Sequence, residues 1–190
     1  MIELGLKFTL AYLLGSVLGS LVVGYLRGGI DIRQLGSGNA GGTNALRTQG
    51  KWFALGVLTI DVGKGVLAAA WIPGLDIPGV GFDPAVPREL VLYAVSLAAI
   101  IGHVFPIWFD FRGGKGGATA AGLLIYLDPV LAAPVLGSWL AIILVSGYVG
   151  LSTMLAAAGA AAFIGLTRLP EQRGFFLFAC LVAALIVYTH

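Results

Sequence analysis

The sequence predicts an all-α polytopic membrane protein of about seven transmembrane helices, N-terminus outside and C-terminus cytoplasmic. Three observations carry that prediction. Of 190 residues, 58% are hydrophobic and only 11% charged, whereas a soluble domain has about 45–50% apolar and about 25% charged residues. Too little polar surface remains to face water, and the mean hydropathy of +0.97 agrees. Apolar runs of about the 20 residues that a helix needs to cross a bilayer recur along the chain. The glycine-rich polar stretches between those runs fall on one side of the membrane when the count is seven.

Residues 4–26 form the first predicted span. They are too long for a signal peptide, and much of the remaining chain is equally apolar. Spans follow at 52–72, 90–109, 129–146, 148–167 and 174–190. The apolar stretch 117–127 would rise only about 16 Å as a helix, so it either half-inserts or uses the preceding glycine loop as part of its path. Trp52, Trp71, Trp108 and Tyr148 lie near span ends, as interfacial aromatics do. Gly15-Ser16-Val17-Leu18-Gly19 and the alanine-rich run Ala156–Ala162 predict close helix packing. With no internal repeat, 1–190 reads as a single integral-membrane domain. Orientation follows from charge, since cytoplasmic loops favour Lys and Arg. Arg27, Arg33, Arg47, Lys51, Arg112 and Lys115 then lie inside, against Lys7, Arg88, Arg168 and Arg173 outside.

Several classes of chemistry are excluded. The single cysteine, Cys180, permits no disulfide framework. Two histidines without multi-ligand spacing predict no metal, and neither a cofactor nor a nucleic-acid partner is expected, although the net charge of +2 by itself says little about partners. The acyltransferase pattern H-x-x-x-x-D fails, because Asp110 lies two residues too far from His103.

Two loops carry the chemical signal. In "LGSGNAGGTNALRTQGK", residues 35–51, a G-x-G-x-x-G string is present. Its flanks are membrane spans rather than a βαβ unit, so the dinucleotide interpretation is rejected. Gly36, Gly38 and Gly41 still expose backbone N–H groups that can form an anion nest. Ser37, Asn39, Thr43 and Asn44 add neutral donors, and Arg47 adds a planar fork suited to phosphate. In "FDFRGGKGGATAAG", residues 109–122, Arg112 precedes Gly113, Gly114, Lys115, Gly116 and Gly117. Lys115 is followed by glycine, so this is no Walker A loop. Its amides, the Lys115 ammonium and a helix starting near Ala118 would nonetheless hold an anion.

His103 ahead of that loop is either a donor or a satisfied interfacial histidine. Asp61 and Lys64 lie within a span, where charges are costly and functional or paired; at i, i+3 they can pair with each other. Ser152, Thr153 and His190 carry little alone. Residue chemistry thus leaves open an enzyme, a small organic-phosphate transporter and a helical scaffold.

The strings "GSGNAGGTNALR", "DVGKG", "GHVFPIWFDFRGGKGGAT" and "SGYVGLST" resemble, in order and spacing, the bacterial acyl-phosphate-dependent glycerol-3-phosphate acyltransferases (the PlsY family), across residues 1–190. The resemblance implies a seven-helix enzyme of the bacterial cytoplasmic (inner) membrane, multi-pass, with its active site at the cytoplasmic face. It would transfer a fatty acyl group from acyl phosphate to the 1-hydroxyl of sn-glycerol 3-phosphate, without metal or cofactor and in contact with membrane lipid. The products would be lysophosphatidic acid and phosphate, at the entry to phospholipid biosynthesis. Family roles map onto Ser37, Lys115 and His190 as catalytic residues, and onto Asn39, Arg47, the Gly113–Gly117 loop and Ser152 as binding residues. Two positions depart from the pattern. Gly150 stands where a serine is usual, and the chain ends at His190, ahead of an asparagine and a glutamate that the family carries.

Overall fold

In lipid, backbone polar groups must be satisfied within the segment that crosses, and helices result throughout. The computed structural model describes residues 1–190 and contains nine α-helices. They are α1 (Ile2–Gly15), α2 (Gly19–Leu26), α3 (Gly42–Gln49), α4 (Lys51–Trp71), α5 (Arg88–Val104), α6 (Gly117–Leu127), α7 (Pro129–Ser146), α8 (Val149–Arg168) and α9 (Arg173–Thr189).

The expected span 4–26 is broken. Leu18 is extended between α1 and α2, and the two helices meet at 45°. Counting the short turns that extend them, Lys51–Gly74, Arg88–Phe109, Pro129–Ser146 and Val149–Arg168 are long and apolar enough to cross a membrane, and the bent α1–α2 pair makes a fifth. The remaining two apolar helices are shorter, α6 with 11 residues and α9 with 17. The short helix α6 starts where the glycine loop ends. It stops at Asp128, whose carboxylate caps α7 by accepting from the Leu131 amide at 2.9 Å, with Pro129 at the first helical position.

The bundle has a tight half and a loose half. In the tight half, Ala11, Ala68, Val91, Val95, Ala98 and Ala99 form the core between α1, α4 and α5. Helices α4 and α6 approach through Gly65, facing the Thr119 carbonyl, and Gly122, facing the Val62 carbonyl. A methyl at either glycine would overlap the opposing backbone, which is the small-residue packing of helices in lipid. In the loose half, α7 buries only Leu131 and Ala132, and α7, α8 and α9, each packed on the next, line a cavity. Trp52, Trp71, Trp108 and Tyr148 are all exposed at or near helix ends.

Candidate active site

The first loop is built around Asn44 of α3. Its amide nitrogen donates to the carbonyls of Ile32 (2.9 Å), Leu35 (3.0 Å) and Asn39 (3.0 Å), and its oxygen accepts from the Ser37 amide at 3.0 Å. Asn44 is therefore the staple of the loop rather than a ligand donor, because its donors are already used. Gly36 and Gly38 have φ of +58° and +74°, a left-handed backbone that glycine adopts without a Cβ penalty. They shape the turn and stand off the cavity wall, whereas Ser37, Asn39, Thr43 and Arg47 line it.

The second loop is held from behind. Gly113 and Gly114 donate to the carbonyls of Val104 (3.2 Å) and His103 (3.0 Å). Neither glycine lines the cavity, but Lys115, Gly116 and Gly117 do. Gly116, with φ +85°, turns the chain into α6, and no side chain caps that helix. The first-turn amides thus keep their hydrogen-bonding capacity, and with the helix dipole they favour an anion. Arg112 is exposed and off the wall, so the structure does not place its guanidinium among the lining cations.

A clasp that the sequence pattern did not reveal joins the two loops. Arg33 pairs with Asp31 at 2.8 Å and donates to the carbonyls of Phe109 and Arg112, both at 3.2 Å. Those carbonyls flank Asp110 and Phe111, two successive non-glycine residues with φ of 56° and 57°. Such a backbone costs energy and persists when its surroundings hold it, and Arg33 grips both sides. The Arg33 guanidinium also holds the Asp31 carboxyl below its ordinary value of 3.8.

The third patch differs by one residue from expectation. Ser152 is buried, donates to the Tyr148 carbonyl at 2.9 Å and is off the cavity wall. Thr153 lines the cavity instead, accepting from the Trp139 indole at 3.1 Å. His190 also lines the cavity, and its Nδ1 lies 2.8 Å from the Ile186 carbonyl. A carbonyl only accepts, so Nδ1 carries the proton and Nε2 keeps a free lone pair. Thr189 donates to the Lys115 carbonyl at 3.1 Å, tying the end of α9 to the glycine loop.

These patches meet at the mouth of one cavity of about 940 Å³, within the size range of small-molecule sites. The deeper walls are apolar. Ala156, Ala157 and Ala160 give α8 a smooth inner face, so the alanine-rich run serves the cavity as well as packing. Ile164, Phe175 and Phe178 close it further in, where Tyr93 stacks on both phenylalanines.

Beside the mouth lies a buried ionic cluster. The Lys64 ammonium is 3.0 Å from Asp61 Oδ1 and 2.8 Å from His103 Nδ1, and it donates to the Gly15 and Val17 carbonyls at 2.8 and 2.7 Å. Asp61 Oδ1 accepts from the Gly19 amide at 3.1 Å. The i, i+3 pair thus exists, and it also satisfies backbone groups freed by the α1–α2 break.

A helical bundle whose helices are long and apolar enough to cross a membrane, with a cavity that is cationic and glycine-lined at its mouth and apolar inside, has the build of an integral membrane protein. The profile of the family described as glycerol-3-phosphate acyltransferase matches residues 6–190, and the chain belongs to that family. A glycerol-3-phosphate acyltransferase of Chlorobaculum tepidum is 39% identical over 208 residues, covering 95% of this chain and 87% of the relative. One from Bacillus cereus (strain G9842) is 40% identical over 192 residues, covering 100% of this chain and 89% of the relative. Two crystal structures of PlsY, an integral membrane glycerol 3-phosphate acyltransferase, are similar at 32% identity. The glycerol 3-phosphate form superposes with a TM-score of 0.80 over 98% of this chain and 88% of that one. The lysophosphatidic acid form gives 0.79, over 98% and 87%.

Proposed function

We propose that the chain transfers a fatty acyl group from acyl phosphate to the 1-hydroxyl of sn-glycerol 3-phosphate, releasing lysophosphatidic acid and phosphate. One observation carries this most directly: two cationic, glycine-rich loops and His190 border the mouth of a cavity whose interior is apolar. Two phosphates and one acyl tail match that division. The glycerol 3-phosphate and lysophosphatidic acid forms of the solved relatives support the same substrate and product here.

The reaction needs positioning and charge stabilisation more than a strong nucleophile, because acyl phosphate is a mixed anhydride with a good leaving group. The glycerol hydroxyl attacks the acyl carbon, the new ester C–O bond forms, and the anhydride C–O bond breaks with its electron pair leaving on phosphate. The hydroxyl proton passes to His190 Nε2. Lys115 and the first amides of α6 hold the departing phosphate, while Arg47, Ser37 and Asn39 hold that of the acceptor. A covalent acyl-serine is unnecessary, and the buried Ser152 hydroxyl, engaged with Tyr148, is poorly placed to form one.

The enzyme is proposed to be a single integral-membrane domain of the bacterial cytoplasmic (inner) membrane, crossing it seven times with the bent α1–α2 pair, α6 and α9 counted. The N-terminal ends of α4, α6 and α8 and the C-terminal ends of α5, α7 and α9 supply or adjoin the mouth, an alternation that supports this count. Its basic residues put the mouth on the cytoplasmic side by the positive-inside rule.

The test is phosphate release by purified protein given acyl phosphate, with and without glycerol 3-phosphate. Release should depend on the acceptor and fall about 100- to 1,000-fold in Lys115→Ala, the usual cost of an electrostatic stabiliser. Release indifferent to the acceptor, or unchanged in that variant, would overturn the proposal.

A further inference from the structure

His103 touches the catalytic loop twice. Its carbonyl accepts from the Gly114 amide at 3.0 Å, and its ring lies directly against the Gly114 α-carbon. A methyl built on Gly114 would overlap His103 Nε2 and come within 3.0 and 3.1 Å of Cε1 and Cδ2; its three nearest neighbours all belong to that ring. Gly114 immediately precedes Lys115, so the height of the ring sets the height of the lysine and of the α6 N-terminus.

The ring cannot drift. It is 2% exposed, and its Nδ1 is held by the Lys64 ammonium. Nδ1 faces both the Lys64 ammonium at 2.8 Å and Asp61 Oδ1 at 3.4 Å, which leaves Nε2 on the Gly114 side. Lys64 is in turn anchored by Asp61 and by the Gly15 and Val17 carbonyls at the α1–α2 break. One chain of contacts therefore runs from the break, through α4 and the end of α5, to the loop. An intramembrane charge pair is costly, and here it lies behind the glycine-rich loop.

We propose that Asp61, Lys64 and His103 are positioning residues: a buried prop whose imidazole fixes the seat of the Gly113–Gly117 loop, and with it Lys115, over the cavity. The inference rests on the function proposed above and adds to it a role for three residues that reach the loop from behind.

The test is a space swap at the contact. His103→Asn keeps a polar atom near the Nδ1 position for Lys64 and deletes the Cε1 and Nε2 atoms that face Gly114. Gly114→Ala alone should lower kcat/KM about 100-fold, the scale of an ångström-sized misplacement in an active site. His103→Asn alone should lower it about 10-fold, because the loop loses its floor without being displaced. In the double variant the alanine methyl fills the space left by the ring, so kcat/KM should recover to within about 3-fold of His103→Asn alone, a non-additivity expected only of residues in contact.

A purely structural role gives the opposite pattern: the two losses multiply, and kcat/KM follows the melting temperature downward. Multiplying losses, or a fully active Gly114→Ala, would overturn the inference. If His103→Asn does not purify folded, His103→Ala in the same cycle has the same two outcomes. Wild-type protein inactive with acyl phosphate and glycerol 3-phosphate sinks the functional proposal; active wild type with multiplying losses sinks this inference alone.

Discussion

Two ionic clusters stand at opposite ends of α1 and α5, the second of them against the middle of α4. From Arg88 to His103, α5 rises about 22 Å, with one cluster at each end. At the far end from the cavity, Glu3 accepts from Lys7 at 2.7 Å, from Arg88 at 2.6 and 2.9 Å, and from the Asp83 amide at 2.8 Å. Lys7 also reaches the Pro73 carbonyl at 2.7 Å. Both Glu3 oxygens are used, and none of these residues lines the cavity. At the mouth, Asp61 and His103 line the cavity, and Asp61 Oδ2 has no partner. Burial of charge is common to both clusters. What differs is closure: one satisfies itself, whereas the other is tied to a helix break and to the glycine-rich loop. An intramembrane charge is thus informative for what it holds, more than for its presence.

The comparison is tested hardest at its two lysines. Lys64→Met leaves Asp61 buried without its cation and strips the Gly15 and Val17 carbonyls of their donor. It should destabilise the protein by about 3–5 kcal/mol, the cost of breaking a buried pair from one side, and abolish turnover. Adding Asp61→Asn should recover part of the stability and none of the turnover. Lys7→Met should cost less stability, since Arg88 still neutralises Glu3, and should leave kcat/KM of the folded fraction within about 2-fold. Denaturation in detergent and phosphate release measure the two quantities separately. Equal loss of turnover at both lysines would erase the distinction.

Helix positions and the convergence of the polar loops were legible in the sequence, because hydropathy and glycine content are local properties. The break inside 4–26 was not, since Ser16, Val17 and Leu18 are as compatible with a helix as their neighbours; only the flanking glycines hinted at it. For Lys7 the sequence offers Glu3 one helical turn away as a partner, but not the Pro73 carbonyl, which lies 66 residues on. The sequence offers Asn44 as a donor, and only the folded loop shows its amide committed to three carbonyls. The choice between Ser152 and Thr153 turned on rotation about α8, where successive residues point about 100° apart. Arg33 counted toward membrane orientation alone, because its partners at Phe109 and Arg112 lie 76 and 79 residues away.

A change at the mouth can spare both clusters. His190→Gln keeps a donor near the Ile186 carbonyl but removes the basic nitrogen. Its kcat should fall about 100-fold, within the range for loss of a general base, with the melting temperature unchanged. A parallel fall in stability would make His190 a structural residue like those at the far end.

The smallest expected effect separates burial from location. Arg33 and Asp31, like Lys64, stand behind the loops at the mouth without lining the cavity, but their side chains are 19% and 27% exposed. Solvent screening limits such a pair to about 1 kcal/mol. Asp31→Asn leaves Arg33 its bonds to Phe109 and Arg112, so the clasp loosens without opening. KM for acyl phosphate should rise by at most about 5-fold, with kcat and melting temperature unchanged. The pH dependence has a defined sign. Arg33 depresses the folded Asp31 carboxyl below 3.8, so the pair's contribution is complete above that value and is lost as pH falls through the lower, folded one. Between pH 8 and 5 the ratio of variant to wild-type KM should therefore stay constant. A ratio that drifts toward one across that range would show that the carboxylate is already releasing Arg33. A melting temperature that falls as in Lys64→Met would show that location at the mouth, and not burial, sets the energetic weight of a pair.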